Sequence, residues 1–77
     1  MHKITEMYAF VAVEELGEGI IGQTVVTDNK LVFMPFVCAE KSTMESLKPL
    51  ASKIHAESGK KIKIIKMTNR TDIEDVT

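Results

Sequence analysis

Cys38 and His55 are the two residues of this 77-residue sequence best suited to do chemistry together. A thiolate is a strong nucleophile and an imidazole can take its proton. Such a pair also needs a third group to orient the histidine, and no side chain is evidently placed for that. Cys38 ends an apolar stretch, where a free cysteine behaves as a small hydrophobe, and His55 borders the apolar stripe of a helical segment. The neighbouring carboxylates Glu14-Glu15 and Glu74-Asp75 fall in predicted loop and tail, where solvated charge is the usual role. No catalytic residue is assigned. Structural zinc takes four Cys or His ligands at paired spacings, and Cys38, His2 and His55 supply neither the number nor the spacing. No metal and no cofactor are expected.

Leu16-Gly17-Glu18-Gly19-Ile20-Ile21-Gly22-Gln23-Thr24-Val25 contains G-x-G-x-x-G. As a dinucleotide fingerprint it fails, because the motif must open a helix whose N-terminus meets the pyrophosphate, and Ile20 to Thr27 has strand character. In a hairpin it resembles the glycine-rich loop of protein kinases over these ten residues. A kinase would also imply a strand lysine, a catalytic-loop aspartate and a metal-binding aspartate, and nothing downstream matches. The expected role of Gly17 and Gly19 is to shape a loop, and that of Gly22 to mark a bulge.

Lys60, Lys61, Lys63, Lys66 and Arg70 form a basic stretch that could receive an anion, since lysine and arginine neutralise phosphate. The aromatic side chains on which single-stranded nucleic acids stack are missing from it; Tyr8, Phe10, Phe33 and Phe36 lie elsewhere. Charged residues on a strand also protect an exposed edge. Nucleic acid is therefore not the expected partner.

The elements that would position these groups follow from periodicity. Met7 to Val13 is aromatic and β-branched and predicts a first strand. Ile20 to Thr27 predicts a second, Asp28-Asn29-Lys30 a turn, and Leu31 to about Cys38 a third, with Pro35 marking it as an edge or a bulge. Met44, Leu47, Leu50, Ala51 and Ile54 share a helical stripe. Ser42 with Glu45 has capping-box spacing, although Pro49 favours a regular helix starting near Ser46, and Gly59 is placed to end it. Lys60 to Met67 predicts a fourth strand, for which the helix is the crossover. That makes the fourth strand parallel to the third and, in a meander, to the first, in the order 3-2-1-4 or 4-3-2-1. Thr71-Asp72-Ile73-Glu74 has the spacing of a last helical turn. The fold class is α+β, β-β-β-α-β, with a four-stranded mostly antiparallel sheet and one helix on one face.

With 44% apolar and 27% charged residues and a net charge of −1, the chain is an ordinary folding sequence long enough for a single domain. A lone cysteine excludes an internal disulfide and favours a reducing compartment, the cytoplasm by default. No apolar run is long enough to span a bilayer, and Met1 to Glu6 has no apolar stretch behind Lys3, so neither a membrane nor secretion is expected. Lys3 and Lys30 against six carboxylates leave residues 1–40 at −4, whereas residues 41–70 carry +6. Such asymmetry can orient an anionic partner or a second copy of the chain.

The predicted strands are apolar on both faces. Tyr8, Phe10 and Ala12 oppose Ala9, Val11 and Val13; Leu31, Phe33 and Val37 oppose Val32, Met34, Phe36 and Cys38. One helix covers one face, so the second is expected to be covered by another copy or partner or, alternatively, by the N-terminal segment and the tail folded across it. The sequence thus points to a non-enzymatic interaction or regulatory module, a homodimer joined through a sheet face or edge, with Val32, Met34, Phe36, Val11 and Val13 as candidate interface. Small accessory proteins of phages and mobile elements often have this profile. The alternative is a protein that binds or sequesters a small anionic ligand or nucleotide, or a weak nucleic-acid binder acting through residues 60–70.

Overall fold

Strand β1 (Met7–Glu14) runs through the middle of the fold, and almost every other element is attached to it. The computed structural model describes residues 3–77; Met1 and His2, the latter counted above among possible metal ligands, lie outside the described residues. A two-residue connection at Glu15-Leu16 turns β1 into β2 (Gly17–Ile20), which pairs back antiparallel from Val11↔Ile20 to Glu14↔Gly17. The chain then leaves the sheet. β3 (Gly22–Thr27) and β4 (Lys30–Pro35) pair only with each other, as a separate two-stranded hairpin, and β5 (Val37–Cys38) rejoins β1 at Ala9 and Tyr8.

The expected second and third strands are thus each broken in two, at Ile21 and at Phe36. The cause is a three-way hydrogen-bonded junction around Phe10. The Ile21 N–H donates to the Phe10 carbonyl at 2.9 Å, the Phe10 N–H to the Phe36 carbonyl at 3.0 Å, and the Phe36 N–H to the Ile21 carbonyl at 2.8 Å. Through it one edge of β1 is shared between β2 and β5, and the β3–β4 hairpin is held out as an arm. Gly22 and Pro35, opposite one another at the base of the arm, mark the break. At its tip Asp28 and Asn29 take positive φ, 49° and 63°, the left-handed pair that a two-residue hairpin turn requires and Asp and Asn tolerate.

Helix α1 (Lys41–Ser58) starts three residues after β5, earlier than the expected Ser46. Burial sets the start: Met44 must lie in the first turns to reach the core, and its N–H donates to the Glu40 carbonyl at 3.1 Å. The Ser42–Glu45 capping box does not form; Glu40 is the N-cap and no side chain caps it. Pro49 consequently sits inside the helix, and Ser46 Oγ donates to the Thr43 carbonyl at 2.7 Å. Gly59 closes the helix at φ 72°, donating to the His55 carbonyl, as its position in the sequence implies.

β6 (Lys61–Met67) lies on the other edge of β1 and runs antiparallel to it from Met7↔Met67 to Val13↔Lys61. It is parallel to β5, as a helical crossover demands, but not to β1. The expected parallel pairing with the first strand fails because the arm removes the strand that a meander would have inserted between β1 and β5. The chain is α+β, its helix packed on a mostly antiparallel sheet. The expected turn at Thr71–Glu74 is not helical; the tail is tied instead by Arg70, whose Nη1 donates to the Ile4 carbonyl at 3.1 Å.

The core lies between α1 and one sheet face. Tyr8, Phe10, Phe36, Met44 and Ala51 are buried in it, with Ile21, Cys38, Leu47, Ile54 and Ile62 packed around them. The Phe10 and Phe36 rings meet edge to face at a centroid distance of 6.0 Å. Leu50, expected on the same stripe, remains half-exposed. The radius of gyration is 14.4 Å, against about 11.5 Å for a compact chain of this length. An arm standing off the core accounts for that direction of departure.

Candidate functional site

The arm is where apolar surface is least covered. Opposed residues share a face, so Thr24, Val26, Leu31 and Phe33 form one side, and Gln23, Val25, Val32 and Met34 the other. Leu31 is 76% exposed, Val26 70% and Phe33 56%, while Met34 and Val32 on the opposite side are also exposed. Among the described residues neither long edge of the hairpin carries a further strand. An isolated two-stranded hairpin is marginal in water, and exposed apolar patches of this sort are rare on solitary soluble chains.

A second apolar surface lies on the sheet face turned away from α1. Along β1 it presents Met7, Ala9, Val11 and Val13. Ala9 and Val11 are short and buried, flanked in register by Val37 and Ile65 and by Ile20 and Lys63. Met7, Val13, Val37 and Ile65 are part-exposed, and Ile20 and Met67 are exposed. At the end near Val13 the apolar surface gives way to charge, with Glu18 on the β2 side and Lys61 and Lys63 on the β6 side.

The five candidate interface residues are therefore split. Val32 and Met34 lie on the arm, Val13 on the open sheet face, and Val11 at the floor of that face. Phe36 is only 3% exposed and belongs to the core, because the break at the junction turns it inward against Phe10. Sequence reasoning missed Val26, Leu31 and Phe33 as arm surface. Their signal was present: Gly22 and Pro35 stand equidistant from the Asp28-Asn29 turn and delimit a hairpin of their own.

The basic stretch is largely matched by carboxylates. Lys60 pairs with Glu14 at 2.7 Å, Lys66 with Glu6 at 3.1 Å and Arg70 with Asp72 at 2.6 Å. Lys60 holds the Glu14 carboxyl below its ordinary value, and hydrogen bonds from Lys66 and then Tyr8 do the same to Glu6. Burial, followed by the Glu6 hydrogen bond, raises the Tyr8 phenol, and Glu6 raises Lys66. Lys61 and Lys63 make no ion pair among the described residues. No five-cation anion site is assembled.

Cys38 and His55 are not brought together. Cys38 precedes the helix and approaches the Glu40 carbonyl, whereas His55 lies near the other end of α1 with its Nδ1 2.6 Å from the Lys60 carbonyl. At 1.5 Å per residue, the helix from Lys41 to His55 alone spans about 21 Å. His55 does border a groove of about 340 Å³ between α1 and β6, floored by Phe10, Ala51, Ile62 and Ile64. Its neighbour Lys48 is paired with Glu45 at 2.8 Å. Among the described residues no three His, Cys, Asp or Glu side chains gather as metal ligands.

Gly17 and Gly19 lie in the β1–β2 hairpin, and Gly22 begins β3, so the glycine string opens no helix and offers no N-terminus to a phosphate. Among the described residues no helix is long and apolar enough to cross a membrane. No protein family, curated protein or solved structure matches the chain.

Proposed function

We propose that the protein is a non-enzymatic interaction module that self-associates, using the β3–β4 arm as its principal contact element, in a reducing compartment such as the cytoplasm. One observation carries this reading. A two-stranded arm stands off the core with large apolar side chains exposed on both faces and neither edge paired. Burying Leu31, Val26 and Phe33 against another chain removes apolar surface from water at about 25 cal/mol per Å² and supplies the covering a free hairpin lacks. The anionic-ligand reading is less favoured, because Lys60, Lys66 and Arg70 already have carboxylate partners that a phosphate would have to displace.

The test is sedimentation of the full chain from low micromolar to millimolar concentration, alone and with Leu31→Lys or Val26→Lys. The expected result is a concentration-dependent dimer that either substitution shifts to monomer while the far-ultraviolet circular dichroism is retained. A wild-type chain that sediments as a monomer throughout overturns the reading.

A further inference from the structure

We infer that two copies of this chain stack through the sheet faces turned away from α1, about a two-fold axis running along β1, and that each arm closes over the free β6 edge of the other copy. This rests on the self-association proposed above and specifies its geometry.

The distribution of charge selects the axis. Across the open face, Glu18 stands on one side of Val13 and Lys61 on the other, with Lys63 beside Val11. All three are exposed, and none is in an ion pair among the described residues. Within one copy Glu18 and Lys61 are two strand spacings apart, about 10 Å, too far to neutralise each other directly. Rotation by 180° about β1 keeps the level along the strand and exchanges the two edges. The β6 edge of one copy then lies above the β2 edge of the other, so Glu18 directly faces the partner's Lys61 at the level of Val13, while the partner's Lys63, at the level of Val11, lies over Ile20 and only diagonally from Glu18, twice by symmetry. Rotation about an axis across the strands does the opposite. It would place Lys61 over the partner's Met67 and Lys63 over the partner's Ile65, setting unpaired cations against apolar side chains, which is costly. The axis along β1 opposes Glu18 to Lys61 and Val37 to Ile65 and leaves one cation, Lys63, over an apolar residue, whereas the axis across the strands leaves two and pairs no charges. The axis along β1 is therefore the more self-complementary, as an isologous interface requires.

The arm follows from the same operation. It leaves the sheet between β2 and β5, on the side of β1 opposite β6. After rotation about β1 the partner's arm emerges beside this copy's β6, whose outer edge pairs with no strand among the described residues. The areas agree. The open face, three strands wide and as long as β1, has a footprint of about 400 Å², only half of the roughly 800 Å² that each partner of a stable interface contributes. The face of the arm laid on the other copy adds about 200 Å², and the β6 edge covered by the partner's arm adds about 200 Å² more. Neither surface suffices alone; together they reach the size of a standard interface.

Charge reversal distinguishes this arrangement from other modes of self-association. Dissociation constants are measured by sedimentation for the wild type, Glu18→Lys, the double variant Lys61→Glu with Lys63→Glu, and the triple combination. Lys53→Glu, on the exposed side of α1, serves as the control. Replacing attraction by repulsion at two symmetric sites is expected to weaken the dimer about tenfold or more in Glu18→Lys and in the double variant, with recovery toward wild type in the triple. Lys53→Glu should leave it unchanged. A dimer that survives both reversals without weakening, or a triple variant no better than its parents, overturns the stacked arrangement while leaving self-association through the arm intact. A wild-type monomer overturns both.

Discussion

The ring of Phe33 lies against Gly22 so closely that a Cβ on that glycine would come 2.8 Å from the ring's Cζ, and closer still to the Met34 carbonyl. The residues occupy the same side of the arm at its base, where the chain turns out of the sheet. Gly22→Ala must therefore push both a ring and a backbone carbonyl away. A cost of about 1–3 kcal/mol is expected, which in a domain of this size lowers Tm by about 4–8 °C per kcal/mol. Gly19→Ala, whose added methyl meets nothing within 4 Å, should be near neutral. Thermal denaturation of both variants reads the difference, and equal losses would show that the base of the arm is looser than this geometry.

Phe36 and Leu31 share the predicted third strand and have opposite fates. Phe36 is enclosed against Phe10; Leu31 stands in solvent on the arm. Truncating a buried phenylalanine costs about 3–5 kcal/mol, a large part of the stability of so small a domain. Phe36→Ala is expected to be largely unfolded at 37 °C, whereas Leu31→Ala measured at low micromolar concentration, where association is minimal, should stay within about 0.5 kcal/mol of wild type. Urea titration monitored by circular dichroism checks both.

Stability should fall at both ends of the pH scale. Lys66 and Tyr8 hold Glu6, and Lys60 holds Glu14, below the ordinary carboxyl value of 4.5. Carboxyls depressed in the folded state add stability above their unfolded value, and it is lost as the pH falls through the folded one. At the alkaline end the Tyr8 phenol, raised above 10.0 by burial and then by Glu6, and Lys66, raised above 10.5 by Glu6, act in the other direction. Their stability is present below the unfolded values and lost as the pH rises through the folded ones. The pairs are solvent-screened, so the effect is modest. Tm against pH should show an acid limb below about pH 4.5 that Glu6→Gln and Glu14→Gln flatten; an unchanged limb in the double variant would assign it to other groups.

The arm gives a separate signature in hydrogen exchange. In the isolated chain the amides of Gly22–Thr27 and Lys30–Pro35 belong to a two-stranded hairpin with few tertiary supports, and they should exchange well before those of β1 and β6. If the chain self-associates as proposed, raising the protein concentration should protect the arm selectively. Protection that does not change with concentration would mean that the arm is stabilised within one copy.

What the sequence disclosed and what it concealed divide by range along the chain. The Asp28-Asn29 turn, the glycine end of α1 and the helical placement of Met44 and Ala51 depend on residues close together, and each was legible from residue type and spacing. The break of two strands was not, because it comes from Phe10, Ile21 and Phe36 meeting at one junction, a relation between distant residues that no local pattern encodes. Once that junction is missed, Phe36 goes to the wrong face and β6 gains a false parallel neighbour. The apolar character of both sheet faces was readable, as was the implication that something besides the helix must cover the second. Which surface residues would do so was not, since strict alternation along an unbroken third strand set Val32 and Met34 together with Phe36.

Pro49 is the one residue at which local chemistry and tertiary burial conflict. It has no N–H to donate to the Glu45 carbonyl, and its ring crowds that turn of α1, yet Met44 and Ala51 on either side must both be helical to reach the core. Proline inside a helix costs about 3 kcal/mol relative to alanine, partly offset by roughly 0.4–1 kcal/mol from the stiffer unfolded chain. Pro49→Ala is therefore expected to stabilise the protein by about 2 kcal/mol and to raise helical ellipticity without altering the dissociation constant of the proposed dimer. Urea unfolding together with sedimentation measures both. A destabilised Pro49→Ala variant would show that the proline sets a bend in α1 on which the packing of Met44 depends.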